Sequence, residues 1–335
     1  MEERHRIDDA ALGNFLGFKI EKIEQFRGGQ SNPTYKINDR YVLRRKPPGK
    51  LLPSAHAVDR EFKVISALHK VGFPVARPVV LCQDESVIGT MFYVMEFVDG
   101  RVLWDPALPG MTREQRAAIW DEKNRVIAEL HKIDYRAVGL EDFGKPGNYI
   151  GRQVERWSKQ YRASETQRIE AMDNMIDWLP KNVPPEAGTT VVHGDFRLDN
   201  TIFHPTEPRI LAVLDWELSS LGDPLADFAY HCMVFHIPPD KFRGIAGLEV
   251  EGIPRESEYV TRYCKRTGRG AIDPSQWDFY LAYNLFRIAA ICQGIAKRVL
   301  DGTAASQHAQ EAASKTVPLA ELGWRQVEKI LRRAA

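Results

Sequence analysis

The side chains best suited to chemistry lie in one short polar segment between two apolar runs. The segment VVHGDFRLDNTIF holds a histidine, two aspartates, an arginine and an asparagine between the apolar residues at its ends. Burying several charged groups is costly unless they are paired, hydrogen-bonded or bound to a metal. We therefore expect an exposed, constrained loop on a rigid scaffold. A second apolar run, ILAVLDWE, leads directly to Asp215 at the end of its own strand.

Asp195, Asn200 and Asp215 are the side chains from which a reaction could be built. Asn200 and Asp215 are expected at the ends of adjacent strands, and their amide and carboxylate oxygens suit Mg²⁺, a hard cation. Asp195 then remains to accept a proton from a nucleophilic hydroxyl, or to orient that hydroxyl. The alternative is a turn rich in Asp and Asn whose side chains only cap helices.

At these residues the chain resembles a known family. The pattern H-G-D, four further residues and Asn, followed by an Asp at a strand end, is similar to the catalytic pattern of protein-kinase-like small-molecule kinases. The chain looks like a member of the aminoglycoside phosphotransferase family, which includes choline and homoserine kinases. The resemblance implies that His193 and Asp195 belong to the catalytic motif, with Asp195 as the base. It also implies that Asn200 and Asp215 hold magnesium and that Asp227 braces the catalytic loop.

The elements that must position these side chains fall into two parts. The stretch YKINDRYVLRR predicts a hairpin with Asn38 at the turn, residues 57–71 predict a helix, and MFYVMEFV predicts a buried strand. Thr112 and Gln115 form a capping-box pattern before a long helix. Further helices are predicted near residues 148–178, 224–236, 256–267, 275–300 and 305–333.

The resemblance and this pattern predict the same α+β architecture, a bilobal protein-kinase-like fold. A small β-rich N-lobe is expected over residues 1–98, where it would bind the nucleotide phosphates. A larger, mostly helical C-lobe is expected over residues 99–335, with the catalytic loop, the metal site and the acceptor site. Clefts between two such parts commonly hold a small ligand. ATP and Mg²⁺ are the cofactors that such a kinase implies.

The N-terminal part contains candidate nucleotide-binding residues in the loop FRGGQSNPTYKI. Gly28 and Gly29 permit close approach of the backbone to a phosphate, and Ser31 and Asn32 can donate hydrogen bonds to it. The alternative for this loop is a plain hairpin connection.

The resemblance also assigns a phosphate-binding cation and its partner. The stretch YVLR aligns with the strand that carries the family's lysine, and Arg44 stands in that lysine's place. An arginine is always charged and can bind phosphate, although its fork geometry differs from that of an ammonium group. Glu61 is the expected partner of Arg44, and Arg45 and Lys46 are the alternative cations. The backbone of Glu96 to Val98 is expected to form the hinge that contacts adenine.

The composition limits the partners and the compartment that we expect. Lys plus Arg number 46 and Asp plus Glu number 45, which gives a formal charge of +1 and no reason to expect a nucleic acid or an anionic membrane as partner. The four cysteines are far apart, so neither a zinc site nor a disulfide framework is expected. No signal peptide and no membrane-spanning run are expected, and a reduced, cytoplasmic setting fits best. The oligomeric state is left open.

Two basic stretches bear on the acceptor molecule. RYCKRTGRG (residues 262–270) and NLFRIAAICQGIAKR (residues 284–298) carry several cations, which form either a solvated face or a site for an anionic acceptor. A closer resemblance, on YVLRRKPPGKLLPSAHAVDREF and FRIAAICQGI, is to the kinase-like half of acyl-CoA dehydrogenase fusion proteins. It implies a small-molecule acceptor linked to CoA, namely a hydroxyacyl-CoA whose hydroxyl is phosphorylated.

Two other functions stay open at this point. The arginine at position 44 motivates a nucleotide-binding pseudokinase with a regulatory role, although Asp195, Asn200 and Asp215 are all present. An aminoglycoside O-phosphotransferase would need a carboxylate-lined pocket for its polycationic acceptor, and the C-terminal helices carry no clear acidic cluster in their sequence.

Overall fold

Residue contacts divide the chain into two compact units. The computed structural model describes residues 7–26, 32–47, 56–239, 243–303 and 307–335. The first unit comprises Met1–Leu103, Asp134–Phe143 and Asp199–Ser219, and the second comprises Trp104–Ile133, Gly144–Leu198 and Ser220–Ala335. Asp195 therefore belongs to the second unit, whereas Asn200 and Asp215 belong to the first. The expected division into lobes at residue 98 stays a prediction.

The secondary structure consists of short strands and mostly longer helices. The strands are β1 (Ile23–Gln25), β2 (Thr34–Ile37), β3 (Tyr41–Arg45), β4 (Pro78–Cys82), β5 (Phe92–Glu96), β6 (Arg101–Val102), β7 (Thr190–Val192), β8 (Thr201–Phe203), β9 (Ile210–Val213) and β10 (Ser220–Gly222). The α-helices of the described residues are α1 (Asp9–Leu16), α2 (Val58–Lys70), α3 (Arg113–Lys132), α4 (Tyr149–Ser164), α5 (Glu170–Trp178), α6 (Pro224–Cys232), α7 (Glu256–Thr267), α8 (Pro274–Leu300), α9 (Gln307–Ser314) and α10 (Thr316–Ala334).

A five-stranded antiparallel sheet in the order β1-β2-β3-β5-β4 dominates the first unit. The predicted hairpin is confirmed, because β2 pairs with β3 and the turn residues Asn38 and Asp39 both have positive φ angles, of 48° and 52°. Asn and Asp tolerate this left-handed conformation better than most side chains. Helix α2 confirms the helix predicted over residues 57–71, and its buried face includes Val64 and Leu68.

A second sheet of the first unit, in the order β6-β8-β9, positions two of the candidate residues. In the antiparallel pair of β8 and β9, Thr201 lies opposite Val213. The backbone N–H of Leu214 donates to the carbonyl of Asn200 at 2.8 Å. Asn200 precedes β8 directly and Asp215 lies just beyond the end of β9, so the two residues occupy adjacent strand ends, as the sequence predicts.

The second unit is mostly helical and is built around α8. This 27-residue helix buries a nearly continuous run from Asp278 to Ala290. By length and composition α8 is apolar enough to cross a membrane, but 72% of its most apolar stretch is buried inside the protein, as expected of a core helix. The predicted capping box of Thr112 and Gln115 is confirmed at the start of α3. The strand β7, which leads into the H-G-D segment, pairs with β10 in an antiparallel arrangement.

Two predicted helical stretches are each divided in two. Residues 148–178 form α4 and α5, and residues 305–333 contain α9 and α10. Helix α4 ends because Glu165 leaves the helical conformation. Helix α10 begins at Thr316, so Pro318 falls in its first turn, where the missing N–H of proline is tolerated. With a β-rich first unit and a helical second unit, the predicted α+β class is confirmed.

Candidate active site

Arg44 lies at the centre of three carboxylates in the first unit. Its Nε atom lies 2.9 Å from Oε2 of Glu61, which confirms the predicted ion pair. Its Nη2 atom donates to Oδ1 of Asp215 at 2.9 Å and to Oε2 of Glu217 at 3.1 Å. Arg44 comes from β3 and Glu61 from α2, whereas the other two carboxylates follow β9. We refer to these four residues as the arginine cluster.

Glu61 is the most buried member of the arginine cluster, with 2% of its surface exposed. The side-chain amide of Asn32 donates to its Oε1 atom at 2.8 Å, and the hydroxyl of Tyr93 donates to its Oε2 atom at 3.1 Å. Burial raises the pKa of Glu61 to about 7; Arg44 opposes this rise, and the other two carboxylates of the cluster add to it. Burial also opposes the charge of Arg44, but the surrounding carboxylates raise its pKa above the ordinary value. Arg44 is therefore a permanent cation at this position.

The alternative cations next to Arg44 lie elsewhere. Neighbouring side chains of a strand point to opposite faces of the sheet. Arg45 accordingly lies against the ring of Tyr35, with 5.5 Å between the guanidinium carbon and the ring centroid, and only 2% of it is exposed. Lys46 follows the end of β3. Arg44 rather than Arg45 therefore occupies the position next to Glu61.

The nucleotide-binding loop is only partly within the described chain. Gly28, Gly29 and Ser31 lie outside the described residues, so their phosphate contacts stay predictions. Asn32 is described and is 2% exposed. Besides its bond to the arginine cluster, its Oδ1 atom lies 2.9 Å from Nδ1 of His56. The structure thus places Asn32 as a support of the arginine cluster, and its phosphate contact stays a prediction.

The predicted adenine-binding hinge begins at the end of β5. The side chain of Glu96 accepts a hydrogen bond from Nη2 of Arg77 at 2.6 Å, and its backbone N–H donates to the carbonyl of Arg77 at 2.9 Å. Val98 follows two residues beyond the strand end. These contacts fix the start of the hinge segment, while the roles of Glu96 and Val98 toward adenine stay predictions.

Asn200 and Asp215, at adjacent strand ends, carry the kinds of side-chain oxygen that a divalent cation prefers. Asp215 has a φ of 64°, in the left-handed region that Asp tolerates better than most residues, and the residue before it, Leu214, donates its backbone N–H to the carbonyl of Asn200. Among the residues that the structure describes, no group of three or more His, Cys, Asp or Glu side chains forms a ready metal cage. Mg²⁺ is usually held by one or two carboxylates together with substrate phosphates, so one carboxylate and one amide oxygen are suitable.

In the second unit, the turn His193-Gly194-Asp195 is held by Asp227. The backbone N–H groups of His193 and Gly194 donate to Oδ2 and Oδ1 of Asp227 at 2.7 and 2.8 Å. Nε2 of His131 lies 3.1 Å from the same Oδ2 atom. Burial opposes the charge of Asp227, but the hydrogen bond from His131 and the donating backbone outweigh it and hold the pKa of Asp227 below its ordinary value. These contacts confirm the bracing position that the resemblance implies for Asp227.

Asp195 is held by side chains as well as by its backbone. Its Oδ1 atom accepts a hydrogen bond from the hydroxyl of Tyr230 and lies 3.0 Å from Nε of Arg197. Its backbone N–H donates to Nδ1 of His193 at 3.1 Å, and the His193 side chain is fully buried. The ring of His193 thus faces the backbone of its own turn, and a catalytic role for His193 stays a prediction.

Three residues around these side chains were not found from the sequence. Glu217 joins the arginine cluster, and Tyr230 contacts Asp195. Arg287, which the sequence places in a basic stretch, donates from Nη2 to the carbonyl of Gly194 at 2.9 Å. The sequence signal that could have identified Tyr230 is its position three residues after Asp227 in a predicted helix, because residues at that spacing lie on the same helix face.

Replacing Arg44 with Met should lower the stability of the protein. The change leaves the buried carboxylate of Glu61 without its cation, and breaking a buried ion pair from one side costs about 3 kcal/mol or more. We expect a thermal unfolding midpoint several degrees below that of the unchanged protein, measured by differential scanning fluorimetry. Arg44→Lys, which retains the positive charge, should lower the unfolding midpoint by less than Arg44→Met does. Equal midpoints for Arg44→Met and the unchanged protein would contradict a stabilising role for the ion pair.

The first unit orients a cation with a buried carboxylate, and the second holds an H-G-D turn with a buried aspartate. These arrangements define the class of kinase-like phosphotransferases. The sequence profile of a family described as "Phosphotransferase enzyme family" matches residues 22–259. The chain belongs to this family, the aminoglycoside phosphotransferase (APH) family.

Similar proteins include two mouse proteins that are named as members of the acyl-CoA dehydrogenase family. Acyl-CoA dehydrogenase family member 10 of Mus musculus is 50% identical over 310 residues, which are 90% of this chain and 29% of that protein. Family member 11 of the same organism is 46% identical over 348 residues, 98% of this chain and 44% of that protein. The chain thus spans less than half the length of these curated relatives.

Solved structures support the fold. A candidate aminoglycoside phosphotransferase from Ralstonia eutropha JMP134 has a TM-score of 0.88 and 54% identity, covering 97% of this chain and 99% of that one. Choline kinase from Cryptosporidium parvum has a TM-score of 0.65 and 12% identity, covering 93% and 90%. The GDP complex of aminoglycoside 2'-phosphotransferase-IIIa has a TM-score of 0.58 and 14% identity, covering 94% and 96%. The last two share the fold alone with this chain, and they confirm the predicted kinase-like fold.

Proposed function

We propose that the chain is a kinase that uses ATP and Mg²⁺ to phosphorylate a hydroxyl of a small metabolite. The observation that carries this proposal is the contact of Arg44 with both Glu61 and Asp215 in one cluster. Kinases need a cation for the nucleotide phosphates, a carboxylate that orients this cation and an aspartate for the metal, and the cluster has a residue of each kind. The family also supports a nucleotide as donor, since a distant relative with the same fold binds GDP.

In the proposed reaction, Asp195 accepts the proton of the acceptor hydroxyl at its carboxylate. The hydroxyl oxygen then forms a bond to the γ-phosphorus as the bond to the leaving ADP breaks. Arg44 binds phosphate oxygens through the paired N–H donors of its planar guanidinium group, and the ion pair with Glu61 fixes the orientation of that group. Asn200 and Asp215 would hold Mg²⁺, which supplies charge neutralisation on the phosphates.

For the acceptor we propose a hydroxyacyl-CoA. The support is the identity of 46–50% to part of two longer proteins that are named as acyl-CoA dehydrogenase family members. A kinase domain in the same chain as an acyl-CoA dehydrogenase would act on a related acyl-CoA thioester. The basic stretch of residues 262–270 adds little to this proposal. Arg266 contacts Asp121 at 2.7 Å, Arg262 contacts the same carboxylate at 3.4 Å, and Arg269 donates to the carbonyl of Ala187 at 2.9 Å.

A pseudokinase with a regulatory role is the second candidate, and the arginine at position 44 is the observation that favours it. A guanidinium presents its donors in a rigid plane, whereas the ammonium of the family's lysine is a compact point charge. Arg44 nevertheless makes the expected contact with the carboxylate of Glu61. The choice between slow and absent phosphoryl transfer therefore requires a direct assay.

The assay we would run first is ADP release from Mg·ATP with a panel of acceptors. The panel contains 3- and 4-hydroxyacyl-CoAs, kanamycin, choline, homoserine and simple sugars, and Asp195→Asn is the control. We expect ADP release that depends on a hydroxyacyl-CoA and is lost in the control. Release with kanamycin alone would indicate an aminoglycoside O-phosphotransferase. Binding of ATP by calorimetry without release for any acceptor would favour the pseudokinase.

A further inference from the structure

The carboxylate of Asp195 has a buried tyrosine as its partner. Tyr230 lies on α6, is 7% exposed, and donates its hydroxyl hydrogen bond to Oδ1 of Asp195. The same helix carries Asp227 one turn earlier, and Asp227 binds the backbone of the H-G-D turn. One face of α6 therefore holds both the backbone of this turn and the side chain of its aspartate.

Arg287 supports Tyr230 from the core helix α8. Its Nη2 atom donates to the carbonyl of Gly194 at 2.9 Å, and its guanidinium carbon lies 5.2 Å from the centroid of the Tyr230 ring. The same guanidinium carbon lies 5.7 Å from the centroid of the Trp157 ring. Only 6% of Arg287 is exposed. A buried guanidinium between two rings restrains the tyrosine ring and adds positive charge near Asp195.

The hydrogen bond to Oδ1 restricts the rotation of the Asp195 carboxylate about its terminal side-chain torsion. The terminal torsion of Asp has a broad distribution, so a carboxylate without fixed partners rotates through a range of orientations. Nε of Arg197 also lies 3.0 Å from Oδ1, but about half of the Arg197 side chain is exposed, so the buried hydroxyl of Tyr230 is the more firmly held partner. A fixed donor on Oδ1 sets the plane of the carboxylate and thereby the direction of Oδ2. Proton transfer from a hydroxyl requires hydrogen-bond distance and alignment, and a misplacement of about 1 Å lowers rates by about 100-fold.

We propose that Tyr230, supported by Arg287, is the positioning residue that orients the carboxylate of Asp195 toward the acceptor hydroxyl. This inference rests on the proposed function of Asp195 as the base. Tyr230 acts through Asp195 and does not itself exchange a proton with the acceptor. Its hydroxyl should therefore affect the chemical step and not the binding of nucleotide.

The test is Tyr230→Phe, which removes the hydroxyl and retains the ring against Arg287. With Mg·ATP and a hydroxyacyl-CoA acceptor, we expect kcat to fall by about 10- to 100-fold while KM for ATP stays unchanged. The matched control is Tyr283→Phe, because the Tyr283 hydroxyl is also buried and has no hydrogen-bond partner among the residues that the structure describes. An unchanged kcat for Tyr230→Phe, or an equal fall in the control, would overturn the inference.

A structural measurement separates this inference from the proposed function. Crystal structures of the unchanged protein and of Tyr230→Phe give the orientation of the Asp195 carboxylate whether or not an acceptor is turned over. We expect one defined orientation in the unchanged protein and a rotated or multiple orientation in the variant. An identical carboxylate in both structures would overturn the positioning role even if the kinase assay succeeds. A rotated carboxylate in a chain without turnover would support the positioning role and contradict only the proposed reaction.

Discussion

Asp195→Asn is expected to lower acceptor-dependent phosphoryl transfer by about 100- to 10,000-fold, the range that a general base contributes. The amide retains one oxygen, so the hydroxyl of Tyr230 and Nε of Arg197 keep an acceptor in the same place. The variant should therefore fold and bind Mg·ATP as the unchanged protein does. What it loses is the charged oxygen that takes a proton from the acceptor.

The measurement is the rate of ADP release at saturating Mg·ATP, together with the thermal unfolding midpoint and the affinity for Mg·ATP by calorimetry. Asp177→Asn is the matched control, because this aspartate lies in the same unit on α5 and is exposed. Full turnover in Asp195→Asn would exclude Asp195 as the base. A fall in turnover that accompanies a large fall in the unfolding midpoint would instead indicate a structural role.

Asp215→Ala is expected to weaken the binding of Mg·ATP by more than about tenfold, since even the hydrogen-bond partners of metal ligands contribute about 10- to 100-fold to metal affinity. Asp215 is the charged member of the proposed donor set, and Asn200 alone offers a single neutral oxygen. The ion pair of Arg44 with Glu61 does not depend on Asp215 and should persist. The affinity for ATP without metal should therefore stay the same or rise.

Calorimetric titrations with Mg·ATP and with ATP in EDTA measure the two affinities separately. Glu217→Gln is the informative comparison, because it removes a carboxylate from Arg44 at 3.1 Å without removing a proposed metal ligand. Its effect on Mg·ATP binding should be much smaller than that of Asp215→Ala. Equal losses in the two variants would mean that Asp215 acts by orienting Arg44, and the assignment of a metal ligand would then be wrong.

Local patterns explain most of what the sequence predicted correctly. The turn at Asn38, the capping box at Thr112 and the apolar face of α2 each depend on residues a few positions apart. The interactions that form them can therefore be inferred from a short stretch of sequence. The pair of Arg44 and Glu61 is separated by 17 positions, and it was found because a family resemblance placed both residues.

The contacts that the sequence did not reveal depend on packing between distant segments. Tyr230 and Asp195 are 35 positions apart, and Arg287 and Gly194 are 93 apart, so no local pattern links them. A basic residue such as Arg287 is usually exposed, and the sequence grouped it with a solvated or anion-binding face. Its burial follows from the core position of α8, where the carbonyl of Gly194 and two aromatic rings surround the guanidinium group.

The arginine cluster has a consequence for the order in which ligands bind. Three carboxylates and one guanidinium give this part of the first unit a formal charge of −2 when all four groups are ionised. ATP without metal is itself an anion, so its phosphates would meet net repulsion there, whereas a magnesium ion would be attracted. In the proposed reaction, this negative charge would favour Mg·ATP over bare ATP as the species that binds.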